Sequence, residues 1–347
     1  MLKVQPWAAS DLNRWLNPWF ADPYAKAGLS GARRLLRATL ISARNLVFVL
    51  AAIAGLASVG KVLPAYVLIA AGLTATGALA WQIRARDRRG EDVSPALLLA
   101  LFALVFAVMA AVRSMADQAG FDARYAYVID LDESLFGGVV PSVWLQEHLH
   151  SAGSVSLLDA LSSVVYFSYF TVPLLVAVAL WHLNPRALRL YLSATILIII
   201  AGNAWFTLLP TAPPWLAGQE GYLPQLARIA PEVMNHVRPG FYEQGYQAVG
   251  INEVAAFPSY HTAQTLLVAL VGWRYRRWLG VAGLAYTVAM GFSLVYLGEH
   301  YVADVLAGVA LAAGAWAAAL RLMPAASRRG ELVEAPAAAA EGVRRAA

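Results

Sequence analysis

Apolar runs of the length that crosses a bilayer, about 20 residues each, recur along most of this sequence. They predict eight spans, at roughly 39–59, 62–83, 94–112, 160–182, 190–209, 258–273, 279–297 and 301–320. The expected fold class is therefore all-α, a polytopic membrane helix bundle of about eight transmembrane helices with a six-helix core. Composition agrees: 60% of the residues are hydrophobic and 14% are charged, against about 45–50% and about 25% in soluble domains. A soluble globular enzyme and a disordered chain are both excluded. Cysteine is absent, which removes disulfides, thiolate metal sites and a cysteine nucleophile.

The spans divide the chain. Residues 1–36 mix Trp7, Trp15, Trp19, Phe20 and Tyr24 with Lys26, Arg33 and Arg34, the make-up of a segment lying on the membrane surface; a loose tail is the alternative. No cleavable signal is expected there, and the first span serves for targeting. Residues 37–93 hold two additional spans, 94–323 the six-helix core, and 324–347 a disordered cytoplasmic tail. Two long loops interrupt the core. One, 113–159, has room for a short helix near Val143–His150; the other, 210–257, is rich in Pro and Gly.

Charge sorting orients the bundle. Eight spans put both termini on one side. Only Lys61, Arg113, Arg124, Arg228 and Arg238 fall on the opposite side, which leaves 21 of the 26 Lys and Arg with the termini. The positive-inside rule makes that side cytoplasmic and turns both long loops outward. The net charge of +5 thus reports topology, and no nucleic-acid partner is expected.

Three unusual features fall on the outer face: Pro210-Thr211-Ala212-Pro213-Pro214-Trp215, Phe257-Pro258-Ser259-Tyr260-His261, and the run Tyr296 to Asp304. Topology brings them to one face without requiring that they touch. His300 and Asp304 are i and i+4, on one side of a helix. A carboxylate there can take the proton of one imidazole nitrogen and leave the other as a nucleophile; a structural ion pair or cap is the alternative. Pro258 and Ser259 at a helix start leave free N–H groups and a positive dipole end, an anion site, with His261 placed to protonate a leaving oxygen. A capped helix with a buried histidine is the alternative. The span from Pro258 to Trp273 has 16 residues, about 24 Å of helix against a core of about 30 Å, so the His261 end is expected to sit recessed. Glu147, His148 and His150 form a weaker cluster that reads as a polar loop helix or a metal site. His182 and His236 have no readable partner.

These residues resemble the type 2 phosphatidic acid phosphatase superfamily of membrane enzymes. Pro258, Ser259 and His261 match its second motif, P-S-x-H, and Ser293, His300 and Asp304 match its third, S-R-x5-H-x3-D. The resemblance covers about residues 94–320. It implies that His300 attacks phosphorus to form a phosphohistidine, that Asp304 orients it, and that His261 is the acid for the leaving alcohol and then the base for the acceptor. It implies membrane lipids as donor and acceptor, with no metal and no cofactor. Two departures matter. Leu294 stands at the third-motif arginine, and the first motif, K-x6-R-P, is absent, with Gly202 and Leu209 at its basic positions. The Pro-Thr-Ala-Pro-Pro-Trp run and Ala256 to His261 are instead similar to the inositol phosphorylceramide synthase branch. A phosphate still needs cationic donors, so outer-side Arg238 and Arg228 are the candidates, ahead of Arg113 and Arg124; a solvated loop charge is the alternative for each. The expected substrate-binding set is Ser259, Tyr260, Ser293, Thr211 and Arg238. The reading is an inositol-phosphate-type head-group transferase working at the outer face. A lipid phosphate phosphatase is the nearest alternative and a lipid transporter or flippase the alternative of another class.

Overall fold

The computed structural model describes residues 73–74, 76–78, 81–82, 95–114, 121–240, 242 and 253–322. All of them belong to one compact unit, Leu63–Arg329. The expected surface segment 1–36, the span 39–59 and the tail 324–347 lie outside the described residues, and so does most of the span 62–83.

The described chain is helical. α1 (Pro95–Ser114) is followed by two short helices, α2 (Ala126–Leu135) and α3 (Pro141–Leu149). Next come α4 (Leu157–Ser168), α5 (Val172–Leu183) and α6 (Pro185–Leu208). The second long loop carries α7 (Pro214–Gln219) and α8 (Ile229–Val237), and the chain closes with α9 (Tyr260–Tyr275), α10 (Arg277–Tyr296) and α11 (Val302–Leu322). Four segments are long and apolar enough to cross a membrane: Leu157–Trp181, Arg186–Leu208, Arg277–Tyr296 and Val302–Leu322. Each lies within a few residues of an expected span, and the protein is an integral membrane protein. α9 has 16 residues, the short helix that the sequence predicts.

Differences from expectation have local causes. The span expected at 160–182 breaks at residues 169–171, where the N–H groups of Tyr169, Phe170 and Thr171 bond three residues back. Pro173 causes the break, since it lacks an N–H and its ring meets the carbonyl four residues earlier, that of Tyr169. In place of one short helix, the loop 113–159 holds α2 as well as α3. Acidic Asp130, Asp132 and Glu133 make α2 read as polar, yet Val128, Ile129 and Asp132 form a buried face. In the loop 210–257, α8 contains Pro231 in its first turn, where proline is tolerated.

α6 is the central helix and packs against α1, α5, α9 and α11. Leu188, Leu190, Tyr191, Leu192, Ala194 and Ile198 are all buried, while Ile200, Trp205 and Leu208 toward the end of the helix are exposed. On α5, by contrast, Leu174 and Leu175 are exposed, and in a bilayer that face meets lipid. α9 and α10 pack against each other, which sets the start of α9, the end of α10 and the start of α11 side by side.

Candidate active site

Backbone bonds join the three features expected at the outer face pairwise. Thr211 sits at the centre of a short ladder, with parallel bridges to Arg124 and Ala255. Its N–H donates to the Val254 carbonyl at 2.7 Å, and its carbonyl accepts from Ala256 at 3.1 Å. The Trp215 N–H donates to the Gly298 carbonyl at 3.0 Å, and the Ser259 N–H to the Asp304 carbonyl at 3.0 Å. The proline-rich run, the start of α9 and the α10–α11 junction are therefore one construction. Gly308 makes it possible, because a Cβ there would collide with the Ser259 carbonyl.

Inside this frame His300 and Asp304 meet as their spacing predicts, with Nδ1 of His300 3.1 Å from Oδ2 of Asp304. The same Oδ2 accepts the Tyr301 N–H at 2.9 Å. Asp304 is fully buried, and its Oδ1 has no hydrogen-bond partner. A carboxylate beside Nδ1 holds the imidazole proton there and leaves the lone pair on Nε2. That Nε2 faces Nδ1 of His261 at 3.3 Å. His300 is buried and His261 half-buried. The His261 ring rests on Tyr169, with centroids 4.3 Å apart, and on Tyr166 at 5.1 Å. Both tyrosines come from the stretch that Pro173 breaks.

The expected substrate-binding residues are not all placed alike. Ser259 is fully buried and caps α9, its Oγ accepting from the Thr262 N–H at 3.3 Å. Thr211 is buried, donates its hydroxyl to the Leu209 carbonyl at 2.9 Å and pairs with the Tyr127 hydroxyl at 2.5 Å. Ser293 is buried in α10. Tyr260 turns to α6, donating to the Ile199 carbonyl at 2.7 Å and accepting from Nδ2 of Asn203 at 2.8 Å. Its ring fills the space above Gly202, where any Cβ would overlap it. Gly202 is one of the two positions where the first motif would carry a basic residue, so Tyr260 occupies that room. Leu294 is fully buried, so no cation stands at the third-motif position either.

The two candidate arginines bracket α8. Arg238 is exposed at its C-terminal cap. Arg228, at its N-terminal cap, has Nε 3.3 Å from the Glu299 carboxylate and its guanidinium 4.0 Å from the Trp215 ring centroid. Glu299 is buried next to His300 in the chain, and burial raises its carboxyl above the ordinary range, while Arg228 and His300 pull the other way.

Sequence reasoning missed two residues. Asp132 of α2, fully buried, accepts the Val302 N–H at 3.0 Å and the Ala303 N–H at 2.8 Å, the first turn of α11. Burial pushes its carboxyl up to about 6, with the Ala303 and Val302 N–H groups pulling it down and the Asp304 charge adding to the rise. Gln146 of α3 clamps the site from the other side. Its Oε1 accepts the Ala227 N–H at 2.8 Å, and its Nε2 donates to the carbonyls of Ala227 and Tyr296 at 3.0 and 2.9 Å. Nothing in the local pattern separates Asp132 from its acidic neighbours or Gln146 from an ordinary polar helix residue. The Glu147–His148–His150 cluster does not form. His148 stacks on Trp144, and His150 pairs with Asp159. Among the described residues no group of three or more His, Cys, Asp or Glu side chains is arranged to hold a metal ion.

Residues 126–318 match the family model described as the PAP2 superfamily. The chain is also 27% identical, over 210 residues, to the phosphoinositol dihydroceramide synthase of Bacteroides thetaiotaomicron. That alignment covers 55% of this chain and 65% of the relative. No solved structure gives a significant match.

Proposed function

The chain belongs to the PAP2 superfamily, and on that premise we propose that it is a membrane-embedded lipid phosphotransferase that moves an inositol-phosphate-type head group between lipids through a phosphohistidine. The observation that carries the reading is the line of groups Asp304, His300 and His261, held at 3.1 and 3.3 Å within the segment that matches the family. Similarity to a phosphoinositol dihydroceramide synthase supports the choice of head group.

In this scheme Nε2 of His300 attacks the phosphorus of a phosphodiester lipid. The bond from phosphorus to the diacylglycerol oxygen breaks, and His261 gives that oxygen its proton. Asp304 accepts the Nδ1–H bond throughout and stabilises the positive charge of the substituted imidazole. An acceptor lipid alcohol then loses its proton to His261, attacks phosphorus and releases His300. A phosphoryl group does not fit in a 3.3 Å gap, so His261, the less buried ring, moves outward when substrate enters. The first N–H groups of α9, which helix geometry leaves without intrahelical acceptors, and the capping Ser259 serve the phosphoryl oxygens. Arg228 is the primary cation and Arg238 the secondary one. Leu294 in place of an arginine favours a singly charged phosphodiester over a doubly charged monoester. The reading has both termini in the cytoplasm and the site at the outer face, supported by the lysine and arginine imbalance and the positive-inside rule.

The test is a paired assay on purified protein in lipid vesicles. It supplies a labelled phosphatidylinositol-type donor and a panel of lipid alcohols, and follows new phospholipid and free phosphate together. New phospholipid that disappears in His300→Ala is the expected result. Phosphate release from monoesters alone would make the protein a lipid phosphatase, and turnover unchanged in His300→Ala would remove the mechanism.

A further inference from the structure

We infer that Asp132 is a positioning residue for the catalytic pair, acting from a helix that lies outside both sequence motifs. The inference rests on the proposed phosphohistidine chemistry. α2 carries Asp132 across to the start of α11, where its two carboxylate oxygens take the N–H groups of Ala303 and Val302 at 2.8 and 3.0 Å. Those two residues stand between His300 and Asp304. The first turn of a helix has no intrahelical acceptors for its N–H groups. Here a carboxylate 170 positions away in sequence supplies them, in place of the local cap that Ser259 gives α9.

The consequence is geometric. Asp304 reaches back over the same turn to hold Nδ1 of His300 and the Tyr301 N–H. A shift of the turn would move nucleophile and orienting carboxylate together. The turn is held on both sides: by Asp132 through Val302 and Ala303, and by Ser259 through the Asp304 carbonyl at 3.0 Å. Val128, Ile129, Tyr301 and Ala303 pack in one apolar cluster, so α2 meets this turn with both a carboxylate and an apolar face. Asp132 is fully buried, and burying a carboxylate is costly unless its acceptors are used. Removing its charge leaves two donors contending for one remaining acceptor.

The experiment compares Asp132→Asn with Val128→Ala, which thins the packing of the same helix without touching the cap. Both variants are purified in lipid, and kcat is expressed per active site counted by the burst of covalent intermediate. Asp132→Asn is expected to insert at wild-type level and keep KM within about 2-fold, while kcat per site falls about 10- to 100-fold, the scale of a misplaced reacting group. Val128→Ala is expected to lower the unfolding temperature and keep kcat per site within about 2-fold. Wild-type kcat per site in Asp132→Asn overturns the inference. An equal loss in Val128→Ala does so too, as does failure of Asp132→Asn to accumulate, since a positioning residue is dispensable to the fold. Wild-type turnover in His300→Ala would instead remove the reading on which the inference rests.

Discussion

Two histidine–aspartate pairs stand on this chain at nearly the same separation. His300 and Asp304 lie 3.1 Å apart, and His150 and Asp159 lie 3.2 Å apart. What surrounds them differs. Asp159 is saturated: its oxygens also take the Tyr296 hydroxyl at 2.6 Å and the Ser156 N–H at 2.7 Å, the latter closing a capping box at the start of α4. The far nitrogen of His150 has no hydrogen-bond partner and lies 3.6 Å from the Glu232 carboxylate. Asp304 keeps one oxygen without a partner, and the far nitrogen of His300 faces a second histidine. The first pair joins α3, α4, α8 and α10. The second presents a lone pair to a group able to carry a proton. A His–Asp contact is thus chemically neutral information until the remaining lone pairs have been traced.

The widest separation between the pairs comes from deleting each histidine. His300→Ala should lower turnover by about 10⁴-fold or more. His150→Ala should keep activity per folded molecule and lose about 1–3 kcal/mol of stability, because Asp159 stays buried with one donor fewer. Thermal unfolding in detergent beside a turnover assay reads both, and an inactive, stable His150→Ala would break the distinction. Charge removal is the next test. Asp304→Asn should cost about 10³-fold in kcat by releasing the His300 tautomer, whereas Asp159→Asn should change stability and leave kcat per folded molecule alone. Smaller effects sharpen the substrate side. Arg228→Ala should raise KM about 10-fold and Arg238→Ala about 3-fold, as charge-assisted contacts to phosphate are lost; the reverse order would move the primary cation to Arg238. Smallest is Gly308→Ala, which presses a methyl group on the Ser259 carbonyl. It should cost about 1–3 kcal/mol as an overpacked contact, with a modest fall in kcat because Ser259 is bonded to the turn that holds Asp304.

Span length and spacing made much of this legible. The apolar runs located α6, α10 and α11, and the i,i+4 spacing of His300 and Asp304 anticipated their contact. The 16-residue α9 was visible from Pro258 and Arg274. The partners that come from far along the chain were not visible. Asp132 acts through two bonds and Gln146 through three, to backbone 81 to 171 positions away, and no period or motif marks such a residue. Tyr260 carries the same lesson. It sits in the variable place of a motif, yet its hydroxyl binds α6, because Gly202 and Asn203 on that helix leave room and a donor. The short helices α2 and α8 were hidden for opposite reasons, acidic residues on one and a first-turn proline on the other.

The central claim is a covalent bond between phosphorus and Nε2 of His300. The direct measurement incubates the protein in vesicles with a labelled phosphatidylinositol-type donor and no acceptor alcohol, stops the reaction above neutral pH, where a phosphohistidine survives, and maps the adduct by mass spectrometry. The account predicts an inositol-phosphate mass on the peptide that contains His300, absent in His300→Ala and removed when an acceptor alcohol is added. An adduct on another residue, or new phospholipid formed with no adduct at any time in the turnover, would contradict it.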